Sequence, residues 1–499
     1  MKNIPNFKDY WHWYVFITLL IITISPIFMM DYLITLDGPN HIYNSATFNR
    51  IINGDAYTNS YLELNPQITP NYASFLILSL LLQIFSSTVA VKVFHLFFIL
   101  AFTLSFAYWN RSKPDKPNLA YLIFPLVFSY LFYSGFYNFV LAIILMFWIL
   151  NYFEKSNHHN FRKHFSLAFL LILLYFSHSI VFVFTGIALA LFVTTHSAIK
   201  KVTLTKFILS LCYLIAAALP CVVLAILFMG SRESEIVYLE FSELLKNLFS
   251  SKSIIAKGFL AEIGKYFFTF SLVLLTVFVS FKRVSRKLQL SDYLLITALS
   301  ILLLYFILPD SVGYASVFSV RIEYFFWIFL ISWLARQEIK ANLLKYGLGS
   351  FVIIFTTIQT NGHLAHWMPL NTDTKKVLAA NDFINNESSV YPIFTSNTWD
   401  HYHISNILGV EKNLFILENT GARQDYFPLK YHEPYEKLLD SLPGLKIANT
   451  GQAIDYVIKI GKNPAETERD IIIYDAIRNA GELVYENDLV EVWKNNFSK

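Results

Sequence analysis

Cysteine is nearly absent. The chain of 499 residues has two, Cys212 and Cys221, and both fall inside one apolar run. A disulfide framework and a cysteine-bound metal cluster are therefore excluded, and the two side chains read as small packing residues. Charge is also scarce, at 15% of residues, where a soluble globular chain carries about 25%. No phosphate-binding glycine loop, zinc-binding HExxH or serine nucleophile elbow is present. Internal repeats and low-complexity linkers are missing too.

What fills the chain instead is hydrocarbon. Hydrophobic residues make up 55% and aromatic residues 17%, with 47 Phe and 30 Tyr. The mean hydropathy is +0.47. These values describe an integral membrane protein, since lipid-facing and interfacial positions accept Phe and Tyr. Apolar runs of spanning length occur at about 11–30, 90–109, 119–134, 136–153, 165–178, 179–196, 203–229, 266–281, 290–308, 321–336 and 344–361. About eleven transmembrane helices are expected, because ~20 residues cross a bilayer core. The first run is read as a retained signal anchor, as no cleavage site follows it. Tyr72–Ser87 is short, bounded by Pro70 and Ser86-Ser87, and reads as a helix along the membrane surface.

Charge placement gives sidedness. With Met1–Tyr10 inside, the inner loops carry Arg111, Lys113 and Lys116; Lys155, Arg162 and Lys163; Lys200, Lys201 and Lys206; Lys282, Arg283, Arg286 and Lys287; and Arg336, Lys340 and Lys345. Cytoplasmic loops are enriched in Lys and Arg. The outer segments are not: 31–71 has Asp31, Asp37, Asp55 and Glu63 against Arg50 alone. Residues 362–499 hold 19 acidic and 13 basic residues, so the net charge of +4 combines −6 there with +10 in residues 1–361. The basic excess reports topology, and no nucleic-acid partner is expected.

Two domains follow: a multi-spanning membrane domain, 1–361, with an outer loop at 31–89, and a soluble extracytoplasmic domain, 362–499. In the second, Ser389–Ser396 and Ala453–Ile460 are rich in β-branched and aromatic residues and read as strands. Pro464–Ala480 reads as a helix stopped by Gly481, and Leu483–Tyr485 with Leu489–Trp493 as a hairpin. Asp373–Asn385 reads as a helix leading in. The order describes a small α/β domain.

The candidate chemistry lies in Leu36-Asp37-Gly38-Pro39-Asn40-His41-Ile42-Tyr43-Asn44, just beyond the first apolar run. Ionisable groups so close to hydrocarbon are costly unless they face water or substrate. Asp37 can also be read as the N-cap of a helix over about 38–52, with Pro39 in its first turn and Asn53-Gly54 at its end. On that helix His41, Asn44, Ser45 and Phe48 share one face. From these residues alone, cap and catalytic carboxylate both stand. Tyr133, Tyr137 and Asn138 occupy one outer turn, His178 another, and Arg321 and Glu323 the outer end of the tenth run. Polar residues gathered at one membrane face predict a cavity open to the outside. His363 and His366, beside Trp367, fall where the last run exits. His158-His159 reads as a solvated basic loop.

With these features the chain resembles the GT-C superfamily of membrane glycosyltransferases, in particular protein mannosyltransferases and bacterial aminoarabinose transferases. The shared plan is a first span, an outer loop with an acidic residue just beyond it, surface helices, many spans and an outer C-terminal domain. The resemblance implies a helical polytopic GT-C-like fold with a small C-terminal α/β domain. It also implies an inverting glycosyltransferase with a polyprenyl-phosphate-linked sugar as donor. Asp37 would be the general base, His41, Asn44, Tyr137, Asn138, His178 and Arg321 the substrate-binding residues, and a glycan, lipid or protein the acceptor. The implied location is the bacterial inner membrane, with the N-terminus cytoplasmic and the C-terminal domain outside. No cofactor is expected: relatives' second acidic residue is replaced here by Gly135-Phe136-Tyr137-Asn138, and Asp37 with His41 gives too few ligands for a divalent metal. The rival reading is a non-catalytic protein that binds or translocates a lipid-linked glycan.

Overall fold

Seven of the eleven apolar runs fold as helices long and apolar enough to cross a membrane: Trp11–Met29, Ser87–Trp109, Tyr137–Glu154, Ser179–Lys200, Leu204–Phe228, Phe259–Arg283 and Phe318–Ala335. At ~1.5 Å per residue, such lengths match the ~30 Å hydrocarbon core. The structure is a computed structural model that describes residues 7–111, 119–156, 161–229, 235–283, 287–313, 315–337, 342–424, 427–432 and 454–496. Among the expected inner-loop residues, Lys113, Lys116, His158, His159, Arg286 and Lys340 lie outside the described residues, as does Ala453 of the expected strand.

The other four runs depart from single spanning helices. Residues 119–134 form a 3₁₀ helix, Leu119–Leu126, followed by a short helix, Tyr130–Tyr133. Pro125 lies inside the first piece and supplies no N–H. Ser129 then bridges to Ile254, and the Tyr130 N–H donates to the Ser253 carbonyl at 3.0 Å. The runs at 165–178 and 290–308 give shorter apolar helices, Phe165–Ser177 and Asp292–Tyr305. The run at 344–361 is part of a 37-residue helix, Asn342–Leu378, which passes the expected domain boundary unbroken and takes in the start of the expected 373–385 helix. The Tyr72–Ser87 run folds as Ala73–Ile84, 12 residues long and too short to cross.

The chain divides into two compact units. The first comprises Met1–Pro26, Leu96–Tyr133 and Asn138–Leu364. Its charged side chains tie helices together. Arg336 donates to both Glu154 oxygens at 3.0 Å and to the Asn110 side chain. Arg283 is bidentate on Asp292, which also accepts from the Trp333 indole.

The second unit comprises Ile27–His95, Ser134–Tyr137 and Ala365–Lys499. Its five-stranded mixed sheet has the order Leu414–Ile416, Ser388–Phe394, Tyr456–Ile460, Val490–Asn495, Gly481–Glu486. The first three strands are parallel, and the last two form the expected antiparallel hairpin. The helix Glu468–Ala480 begins with Thr467 accepting from the Asp470 N–H, a side-chain N-cap. The segment 31–89 builds into this unit. Leu62–Leu64 pairs antiparallel with Leu429–Tyr431, and Phe75 packs with Phe427 and Leu429. Arg50, in the last turn of the helix Gly38–Ile52, donates to the carbonyls of Gly409, Val410 and Lys412 at 2.8–2.9 Å.

Candidate active site

Asp37 stands immediately before the helix Gly38–Ile52, as its sequence predicts, but its carboxylate makes no capping bond. Two local facts explain this. Its backbone is in the right-handed region (φ −87°, ψ −2°) rather than the extended conformation of a capping residue. Pro39 also occupies the second helical position and so removes one of the two N–H groups, at the second and third positions, that a cap can reach. The carboxylate is left for other contacts.

The backbone around it is held closely. The Asp37 N–H donates to the Ser134 carbonyl at 3.2 Å, and the Gly38 N–H to the Thr35 carbonyl at 3.3 Å. Gly135 has φ +79°, and a Cβ there would lie 2.8 Å from the Asp37 nitrogen, so only glycine fits. A Cβ on Gly38 would meet the Tyr137 hydroxyl at 2.7 Å. That hydroxyl is shared with Thr35 Oγ1 at 2.7 Å and His95 Nε2 at 3.0 Å. Tyr137 is therefore a buried brace under the start of the helix.

The Asp37 side chain is 31% exposed, and its Oδ1 lies 3.4 Å from Nε2 of His403. His403 Nδ1 is 2.6 Å from Oε1 of Glu418. The other Glu418 oxygen accepts from Asn406 Nδ2 at 2.5 Å. Burial pulls the His403 pKa down, but Glu418 and then Asp37 outweigh it, and the net shift is upward. Glu418 is raised by its own burial, against the pull of His403 and Asn406. His41 packs against Tyr137 and Phe427 at ring distances of 5.4 and 6.0 Å. Burial, helped by His403, pushes its pKa down to about 4, so near neutral pH it is an uncharged imidazole.

Asn44 is fully buried. Its amide exchanges hydrogen bonds with Asn419 at 2.8 Å in both directions and donates to the Asn40 carbonyl. Asn40 in turn donates to Asn419 and Asn406. This places Asn44 in a framework of amides behind the carboxylate. Asp31, six residues before Asp37, is held by Lys375 at 2.5 Å and Lys92 at 3.7 Å.

The remaining expected residues belong to the first unit. His178 precedes the helix Ser179–Lys200. Its Nε2 lies 3.4 Å from Arg321 Nη1, and the guanidinium sits over the rings of Phe139 and Phe318. Arg321 borders an otherwise apolar cleft of about 310 Å³ lined by Ile180, Phe184, Leu304, Leu308 and Ile322 among others. Asn138 is buried in the same unit. Glu323 does not pair with Arg321; it accepts from the Trp327 indole and the Ser253 N–H. Tyr133 bonds His363 Nδ1 at 2.5 Å, within the first unit, and His366 faces Asp400 at 3.3 Å, within the second.

The structure thus brings Asp37, His41 and Tyr137 together in one unit, and His178 and Arg321 in the other. Sequence reasoning missed His403, Glu418 and Asn406. The one readable signal was the dense run Trp399-Asp400-His401-Tyr402-His403 in an otherwise ordinary α/β sequence.

Among the described residues, seven helices long and apolar enough to cross a membrane, a helical segment after the first of them and a small C-terminal sheet region give a GT-C-like fold. The chain is similar to ArnT, the aminoarabinose transferase from Cupriavidus metallidurans, bound to undecaprenyl phosphate, with a TM-score of 0.53 and 11% identity over 98% of each chain. It is similar also to the apo state of that protein, with a TM-score of 0.55, 11% identity and the same coverage. No family model matches the chain, and no curated protein matches it.

Proposed function

We propose that this membrane protein is an inverting glycosyltransferase that takes a sugar from a polyprenyl-phosphate donor, with Asp37 as the general base. One observation carries the reading. Of the two acidic residues that follow the first apolar helix, Asp31 is ion-paired with two lysines, whereas the Asp37 carboxylate makes no capping bond, lies 3.4 Å from Nε2 of His403 and is 31% exposed. The similarity to a fold that holds undecaprenyl phosphate supports a lipid phosphate as the leaving group.

In the second unit, Asp37 takes the proton of an acceptor hydroxyl or amine as the nucleophile attacks the anomeric carbon. The bond from that carbon to the phosphate oxygen breaks, and its electrons leave with the lipid phosphate. His41, neutral near pH 7, offers a hydrogen-bonding edge beside the reacting groups, and Tyr137 and Asn44 hold the helix that carries Asp37. In the first unit, Arg321 beside His178 has the chemistry of a phosphate-binding pair. A guanidinium suits a phosphate as a two-pronged donor, and stabilising charge on that group lowers the barrier directly. Asn138 adds an amide to the sugar or phosphate. The apolar cleft bordered by Arg321 suits a prenyl chain. The basic inner loops support an outward-facing reaction in a bacterial inner membrane. The acceptor is a glycan, lipid or protein.

The test replaces Asp37 by Asn in the source organism and compares it with a gene deletion. Loss of a positioned base costs ~10²–10⁴-fold in rate. The variant should insert at normal abundance and should accumulate the same unspent polyprenyl-linked sugar as the deletion, read by mass spectrometry of extracted lipids. Transfer at the wild-type level would overturn the mechanism. Movement of an unaltered glycan into sealed vesicles would favour a transporter.

A further inference from the structure

The buried pair His403 and Glu418 has no part in the reaction outlined above. Both side chains are largely buried, at 7% and 12% exposure, while Asp37 is 31% exposed. Each ring nitrogen of His403 faces a carboxylate, Nε2 toward Asp37 and Nδ1 toward Glu418. Only the imidazolium carries a donor on both nitrogens. Glu418 is fixed through its second oxygen by Asn406. Asn406 accepts from Asn40 at 3.3 Å, and Asn40 lies in the helix that Asp37 begins. The contacts therefore close a circuit, from Asp37 through His403, Glu418, Asn406 and Asn40 back to that helix.

A general base works only when its carboxylate is held in line with the acceptor's proton. We infer that His403, carried by Glu418, is a positioning residue for Asp37: the charge at its Nε2 edge, 3.4 Å from Oδ1, orients the carboxylate toward the acceptor. The role rests on Asp37 being the base. The C-terminal domain would thereby be a working part of the reaction.

The groups facing His403 come from several elements. Glu418 and Asp37 favour its charged form. His41 opposes it when protonated, but is neutral above about pH 4. Arg423 acts on Glu418 and on Tyr402, whose ring lies edge-on to His403 at 4.6 Å. The balance keeps the imidazolium above the ordinary histidine range of ~6.5.

The test uses the full chain in detergent micelles with ¹³C-labelled histidine, followed by NMR against pH. The His403 signal is assigned by its loss in H403Q. Its midpoint should lie above ~6.5 in the wild type and should fall in both E418Q and D37N, because each removes a negative neighbour. An unchanged midpoint in D37N overturns the inference. In membranes of the source organism, with native donor and acceptor, H403Q should lower transfer by about 10-fold to about 10²-fold, as misplacing a reacting group does. E418Q should move the alkaline limb of the transfer profile to lower pH, and an unmoved limb overturns the positioning role. If H403Q does not accumulate, E418Q carries both readings. The NMR arm needs no sugar donor, so it separates the two proposals. Wild-type transfer by D37N together with a shifted midpoint would mean that the base assignment fails while the contact is real.

Discussion

In the first unit, Arg336 donates to both oxygens of Glu154, to the Asn110 side chain and to the Trp109 carbonyl, and Glu154 accepts from the Tyr293 hydroxyl as well. In the second unit, Asp37 meets His403 at 3.4 Å and keeps a third of its side-chain surface exposed. Both are carboxylates beside cations, yet Glu154 is 17% exposed and bonded on both oxygens, while Asp37 is 31% exposed. The difference follows from the solvent around each. Where a charge has little access to water, an incompletely bonded ion costs several kcal/mol. Where more of the carboxylate is exposed, water can take the remaining lone pairs. A carboxylate can then stay available for a proton without destabilising the fold.

The largest test of that contrast is Glu154→Gln. It removes the negative partner of Arg336, whose side chain is only 16% exposed; breaking a fully buried pair costs about 3–5 kcal/mol, and this partly exposed one up to about that. Thermal unfolding of the purified variant in detergent should show a large loss of stability, with poor accumulation in membranes. An E154Q protein as stable as the wild type would break the comparison, because the pair would then be dispensable in the way expected only of surface charges.

A smaller effect should appear with pH in the second unit. His41 has a folded pKa of about 4, against ~6.5 for the unfolded chain. The unfolded state therefore binds more protons in that window, and stability falls as pH drops from ~6.5 toward about 4. His403 runs the other way. Its pKa is raised, so its contribution is full below ~6.5 and is lost as pH climbs through the folded value. Hydrogen exchange of the amides in Gly38–Ile52 should quicken on the acid side in the wild type and much less in H41Q. Equal acid sensitivity in both would show that His41 is not the group responsible.

The two units also differ in how much of each could be read beforehand. Membrane helices declare themselves by hydropathy, and seven runs fold nearly where their composition puts them. The misreadings there are local. Pro125 breaks one run, and a continuous helix, Asn342–Leu378, hides the end of another because its polar second half still suits a helix in water. The hairpin and the strand at 388–394 were legible from β-branched and aromatic content. The assembly of the second unit was not. It joins residues 27–95 to residues 365–499, through Arg50 on three distant carbonyls and through Leu62–Leu64 pairing with Leu429–Tyr431. No local pattern reports pairing over more than three hundred residues. For the same reason Asp37 could be picked out by its place after a span, while His403 and Glu418 could not. The capping reading placed Asp37 correctly at the start of its helix but not its side chain: the right-handed backbone at Asp37 differs from that of a capping residue, and Pro39 removes one of the two N–H groups a cap can reach.

The smallest effect should come from Asp31→Asn, and its smallness is the point. Asp31 and Asp37 have the same chemistry and follow the same span six residues apart, so composition does not separate them. Their contacts do. Asp31 is half exposed and lies against Lys375 and Lys92, and Lys375 above all lowers its pKa. Ion pairs in water are weak, because solvent screening offsets most of the attraction. D31N should therefore leave unfolding unchanged within error. It should also leave the polyprenyl-linked sugar pool at the wild-type level, since a carboxylate already held by two ammonium groups is a poor proton acceptor. Measured beside D37N in the same lipid extracts, the two variants compare a lysine-paired acid with a histidine-positioned one. A block in D31N as deep as in D37N would mean that the whole acidic loop contributes, and that a carboxylate's partners do not decide which one works.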